Sequence, residues 1–191
     1  LIILVHGFMG KDNELEYVKS SLLQQAAEHK QAAFVVHSAQ SNMRRTCDGI
    51  AAGGTRLASE VMQLIQKYRS QNKEDMPPNM SLSFLGHSLG GLYARYALSK
   101  IYSNLVRPNV FCTTATPHLG LSANTYVPIP RPFEWMIAHA MRRTGRDFFG
   151  LTTVLKDLAI DPIYIRPLQA FAKRLVYANA FAMDFQVPTA T

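Results

Sequence analysis

Residues 1–5 form an unbroken apolar run that stops at His6-Gly7. A short branched run without polar alternation predicts a strand buried on both faces. Asp12 or Asn13 then offers an N-cap, and Leu15, Val18, Leu22 and Ala26 fall on one helical face. Residues 32–37 read as a second strand. Gly53-Gly54 precedes a helix striped by Leu57, Val61, Leu64, Ile65 and Tyr68. A polar loop over 72–79 leads to a third strand at 81–85, followed by a helix from about Ser88 to Ile101. Residues 110–114 predict a fourth strand that ends at Thr116-Pro117-His118. Prolines and short helical pieces fill 121–160 without a clear strand. A helix around 168–172 then enters a fifth strand at 174–178. Strands alternating with helices predict an α/β fold, a mostly parallel sheet covered on both faces in three layers. One domain spans 1–191, with 121–160 as an insertion.

Composition changes this picture little. The chain has 191 residues, 48% hydrophobic and 17% charged, which suits one globular core. Lys and Arg number 20 against 13 Asp and Glu, for a formal charge of +7. That excess suits peripheral contact with an anionic lipid surface. Arg44-Arg45 and Arg142-Arg143 are only pairs, and no nucleic-acid-binding signature accompanies them, so nucleic acid is not an expected partner. Two cysteines, Cys47 and Cys112, are too few for a metal framework and favour a reducing compartment. No apolar run approaches the roughly 18 residues of a membrane span. The expected location is cytoplasmic or peripheral to an intracellular membrane. The start at Leu1, inside a strand, and the abrupt end at Thr191 predict a fragment lacking its C-terminal end.

Chemistry enters at Gly86-His87-Ser88-Leu89-Gly90, between the third strand and its helix. A nucleophilic serine needs a sharp strand-to-helix turn, where side chains two positions either side would collide with neighbouring elements. Glycines stand at both positions, Gly86 and Gly90. The backbone N–H of Leu89 is one candidate oxyanion donor. The loop after the first strand supplies the other, with Phe8 N–H first and Met9 N–H as the alternative. Gly7 lets that loop approach the substrate, and His6 belongs to it.

The acid should follow the serine, and the histidine should follow the acid. Asp184 lies just past the fifth strand, whereas Asp157 and Asp161 follow no strand. No histidine follows Asp184. His87 is part of the elbow, His29 and His139 read as surface residues, and His118 is the one stand-in close to the serine in the fold. Its other reading is structural.

The stretches Leu4-Val5-His6-Gly7-Phe8-Met9-Gly10, Leu15-Glu16-Tyr17-Val18 and Asp48-Gly49-Ile50 extend this pattern. So do Gly86 through Leu92, Thr116-Pro117-His118-Leu119-Gly120, Thr144-Gly145 and Tyr177-Ala178-Asn179. In this order the chain resembles the eukaryotic lipase-like serine esterase family of the α/β-hydrolase superfamily. The resemblance implies a three-layer hydrolase sandwich and a carboxylic ester hydrolase acting on lipids of acylglycerol or phospholipid type. It implies Ser88 as nucleophile, Asp184 as acid, a histidine beyond Thr191, and no metal or organic cofactor. Met183 stands where the family has Asn before the acid. The insertion occupies the place of a lid; its Trp135, Met136, Phe148 and Phe149 could cover an acyl chain or complete the core. Acyl transfer to an alcohol, or a binding module that lost its base, are the rival functions.

Overall fold

The computed structural model describes residues 1–11, 13–28, 35–71, 80–101, 105–121 and 131–178. Five strands are present: β1 (Ile2–Val5), β2 (Val36–Ser38), β3 (Ser81–His87), β4 (Arg107–Thr114) and β5 (Lys173–Tyr177). They pair in the order β2-β1-β3-β4-β5, and every pairing is parallel. β1 and β3 carry the near-continuous apolar burial expected of central parallel strands, with Ile3, Leu4, Val5, Leu82 and Phe84 at most 2% exposed. The chain leaves β1 toward β2 on one side and later enters β3 on the other. That reversal puts the topological switch between the C-terminal ends of β1 and β3, where such sheets open a crevice.

Helix α1 (Glu16–Glu28) lies on the surface. Its predicted face, Leu15, Val18, Leu22 and Ala26, is only half-buried. Helix α2 (Ile50–Gln71) packs against α3 (Leu89–Leu98) through Leu57, Val61 and Ile65. Gly53 and Gly54 lie inside α2 rather than before it. A side chain at either would overlap the ring of Tyr93 or Tyr96, so these glycines serve helix packing and do not interrupt the helix.

The end of the chain also differs from expectation. α4 (Arg131–Ala140), α5 (Arg142–Phe148), α6 (Val154–Ile160) and α7 (Pro162–Gln169) follow β4. The helix expected at 168–172 is α7, which ends at Gln169. It starts early because Asp161 accepts the Ile163 N–H at 2.9 Å and Pro162 occupies the first turn.

The predicted insertion divides into two parts. Ala138, Thr144, Asp147, Phe148, Phe149, Leu155 and Leu158 are buried. Asp147 Oδ2 accepts the Ile50 N–H at 2.7 Å, capping the N-terminus of α2 from 97 residues away. Thr144 Oγ1 accepts the Gly49 N–H at 2.9 Å and donates to the Thr46 carbonyl at 2.6 Å. Thus α5 and α6 belong to the core and do not form a mobile cover. Within the described part of 121–160, α4 groups most of the exposed large apolar side chains: Phe133, Trp135 and Met136 are 55–61% exposed, with Leu151 and Ile160 exposed singly elsewhere. Among the described residues, no helix is long and apolar enough to cross a membrane.

Candidate active site

β3 ends at His87, α3 begins at Leu89, and Ser88 makes the whole turn between them with φ 51° and ψ −123°. A non-glycine residue in that region carries about 1–3 kcal/mol of backbone strain, which persists only where the surroundings enforce it. Here they do. Ser88 N–H donates to the Thr114 carbonyl at 2.8 Å. A Cβ on Gly86 would stand 2.5 Å from the backbone of Gly91, and one on Gly90 would overlap the carbonyls of Val5 and His6. The two glycines therefore let α3 sit directly on β1 and β3, which forces the turn into one residue. Ser88 is half-buried.

The loop after β1 lies against this turn. A Cβ on Gly7 would be 3.1 Å from Ser88 Cβ. Of the four amides at 7–10, three are taken: Gly7 by Glu14 Oε1 at 2.9 Å, Met9 by Thr46 Oγ1 at 3.1 Å, and Gly10 by the Gly7 carbonyl at 3.2 Å. Only the Phe8 N–H has no partner among the described residues. Met9, the alternative donor, is already bonded to Thr46. The Leu89 N–H, first in α3, likewise has none, while Gly91 N–H turns back to the Ser88 carbonyl at 3.1 Å. Two free amides and one hydroxyl thus lie within one residue of the Gly7–Ser88 contact. One amide sits at a helix N-terminus, where partial positive charge gathers.

The described histidines are engaged elsewhere. His6 is 3% exposed, with Nδ1 3.0 Å from the Gly7 carbonyl, while its buried Nε2 has no partner among the described residues. His87 Nδ1 lies 3.1 Å from Thr114 Oγ1, and its Nε2 is 3.9 Å from Glu14. His37 pairs with Glu60, and His139 bonds the Trp135 carbonyl within α4. His118 stands 3.2 Å from Arg95 Nη1 through Nδ1 and 3.0 Å from Thr113 Oγ1 through Nε2. Arg95 only donates, so His118 Nδ1 accepts and its Nε2 donates. Burial, reinforced by the Arg95 charge, lowers the His118 pKa to about 4. With both nitrogens occupied, His118 is a neutral structural side chain beside a cavity of about 220 Å³ under α7 and β5. Among the described residues, no histidine hydrogen-bonds Ser88. Asp184 and His29 lie outside the described residues.

Sequence reasoning missed Glu14, Thr46 and Asp147, and gave Thr144 no role. The stretches Asp48-Gly49-Ile50 and Thr144-Gly145 were noticed separately, yet they are two halves of one clamp.

The sequence pattern of the family described as "Putative serine esterase (DUF676)" matches residues 1–191. "Putative lipase ROG1" of Saccharomyces cerevisiae is 29% identical over 94% of this chain and 26% of that protein. "Putative lipase C4A8.10" of Schizosaccharomyces pombe is 26% identical over 100% of this chain and 25% of that protein. The chain therefore spans about a quarter of the length of these curated relatives. The crystal structure of Bacillus licheniformis lipase BlEst2, in its propeptide form, aligns with a TM-score of 0.58 at 17% identity. It matches 93% of this chain and 35% of that one, and shows the α/β-hydrolase fold.

Proposed function

Because the chain belongs to the DUF676 serine esterase family, we propose that it carries the nucleophile and oxyanion hole of a carboxylic ester hydrolase. The observation that bears most weight is Ser88 held at φ 51° between β3 and α3, beside a loop with one free amide. Ser88 Oγ attacks the ester carbonyl carbon and its proton passes to a histidine. The resulting oxyanion accepts the N–H groups of Phe8 and Leu89. The carbonyl–alkoxy bond then breaks, and the alcohol leaves with the proton held by the histidine. Water, deprotonated by the same group, attacks the acyl-enzyme, releases the carboxylate and restores Ser88.

In this reading Asp184 orients the histidine, which comes from outside these 191 residues. Its support is chain order together with the lack of a hydrogen bond from Ser88 to any of the five described histidines. Lipid esters are the substrate class, in keeping with the names of the two fungal relatives. The exposed Phe133, Trp135 and Met136 of α4 stand next to exposed Arg142, Arg143 and Arg146, a pairing that suits the surface of an anionic bilayer.

The test is hydrolysis of nitrophenyl esters of short and long acids by the full-length protein and by Ser88→Ala. Ser88-dependent turnover favouring long chains is expected. Turnover that survives Ser88→Ala would remove the nucleophile, and a short-chain preference would remove the lipid assignment.

A further inference from the structure

The loop that carries Phe8 is held only in part by its own bonds, the Gly10 N–H to the Gly7 carbonyl and His6 Nδ1 to the same oxygen. Met9 sits at φ 56° with its side chain 76% exposed, so no packing of that side chain enforces the left-handed backbone. Two side chains from outside the loop hold it from either side of Phe8. Glu14, in the turn before α1, accepts the Gly7 N–H. Thr46, 37 residues away, accepts the Met9 N–H through Oγ1.

Neither anchor is loose. Thr46 is 3% exposed, and its carbonyl accepts the hydroxyls of Thr144 at 2.6 Å and Tyr93 at 3.3 Å. It is thereby fixed to α5 and to the buried centre of α3. The Glu14 carboxylate fills the space over Gly10, where a side chain would overlap it, and stays 26% exposed.

Resting on the hydrolase reading above, we propose that Glu14 and Thr46 are positioning residues of the oxyanion hole. They take the amides on both sides of Phe8, leave that N–H as the one at 7–10 without a partner among the described residues, and aim it at the carbonyl beside Ser88. Neither touches substrate. Their effect belongs to the transition state, where the carbonyl oxygen becomes an anion and donor geometry matters most.

The experiment uses the full-length protein and a short nitrophenyl ester, with Thr46→Val, Thr46→Ser, Glu14→Leu and Glu14→Gln. Valine and leucine remove the acceptor; serine and glutamine keep an oxygen that can receive the same amide. Thr46→Val and Glu14→Leu should each lower kcat about 10- to 100-fold, with KM within about twofold. Affinity for a boronic acid that forms a tetrahedral adduct should weaken by the same factor. Thr46→Ser and Glu14→Gln should recover most of the loss.

If folded Thr46→Val and Glu14→Leu turn over like the parent, or lose only KM, the assignment is overturned. It is also overturned if serine and glutamine fail to rescue. If Thr46→Val does not fold, Glu14→Leu, at the surface, decides the matter. A parent protein without Ser88-dependent turnover defeats the hydrolase reading and this assignment together; Ser88-dependent turnover indifferent to both positions defeats this assignment alone.

Discussion

The loops after β1 and β4 leave the same edge of the sheet on either side of β3, but their polar groups are arranged differently. After β4, His118 has both ring nitrogens bonded, to Arg95 and Thr113, and burial keeps it neutral. After β1, the Phe8 N–H has no partner among the described residues, while the amides flanking it are held by Glu14 and Thr46. The Ser88 hydroxyl and the Leu89 N–H likewise have no partner among the described residues. A structural loop satisfies its buried donors and acceptors, because leaving one unpaired costs about 1–3 kcal/mol. In the loop after β1 the amides either side of Phe8 are fixed by side chains from elsewhere in the chain, and the unpartnered one lies beside Ser88, an arrangement that suits an incoming acceptor. The difference favours the loop after β1 as the one that would face substrate, although both loops follow strands next to the serine strand.

The most severe way to break this comparison is to remove the serine. Ser88→Ala should lower ester hydrolysis by about 10³-fold or more, measured as kcat/KM on the full-length protein. Activity left intact would make the free amides irrelevant to catalysis.

The next effect concerns pH. His118 titrates near 6.5 when unfolded and at about 4 when folded. Between those values the unfolded chain binds a proton that the folded one refuses. Stability therefore falls as pH drops from 6.5 to 4, by about 3 kcal/mol in all. Glu60 adds to this only at lower pH. Burial would raise its pKa, but His37 and the amides of Gln40 and Ser41 outweigh that and hold it at about 2. Its contribution is present above 4.5 and is lost as pH falls through 2. Urea denaturation from pH 6.5 to 4.5 should thus show a slope that disappears in His118→Ala. A slope that survives that substitution would contradict the neutral, buried reading.

Gly90→Ala probes the contact between the two active elements. The added Cβ meets the Val5 and His6 carbonyls, so chemical denaturation should report a loss of about 2–3 kcal/mol. The smallest effect sharpens the comparison from its other side. At pH 8, His118→Ala should cost about 1–2 kcal/mol of stability and leave kcat near the parent value. If kcat collapsed while stability held, His118 would be part of the catalytic loop after all.

Much of this fold could be read along the chain, because its signals are local. The apolar runs mark four of the five strands close to their observed places, while the run at 32–37 overlaps β2 only at 36–37 and lies partly outside the described residues; Gly86 and Gly90 mark the turn around Ser88 from five consecutive residues. What escaped was what the chain assembles across distance. Asp147 caps α2 and Thr144 holds Gly49 over 97 and 95 residues. Nothing near either residue announces its partner. Without that clamp, 121–160 looked like one insertion, whereas its α5 and α6 are core. Gly53-Gly54 suggested a break for the same reason: the tyrosine rings that require them lie on another helix. Thr46 was invisible as an anchor because its partner is a backbone amide.

Covalent capture asks whether Ser88 is a nucleophile. The full-length protein treated with a fluorophosphonate and digested should yield one modified peptide, with the adduct on Ser88, and none from Ser88→Ala. An adduct on another residue, or labelling that persists undiminished in Ser88→Ala, would contradict the account.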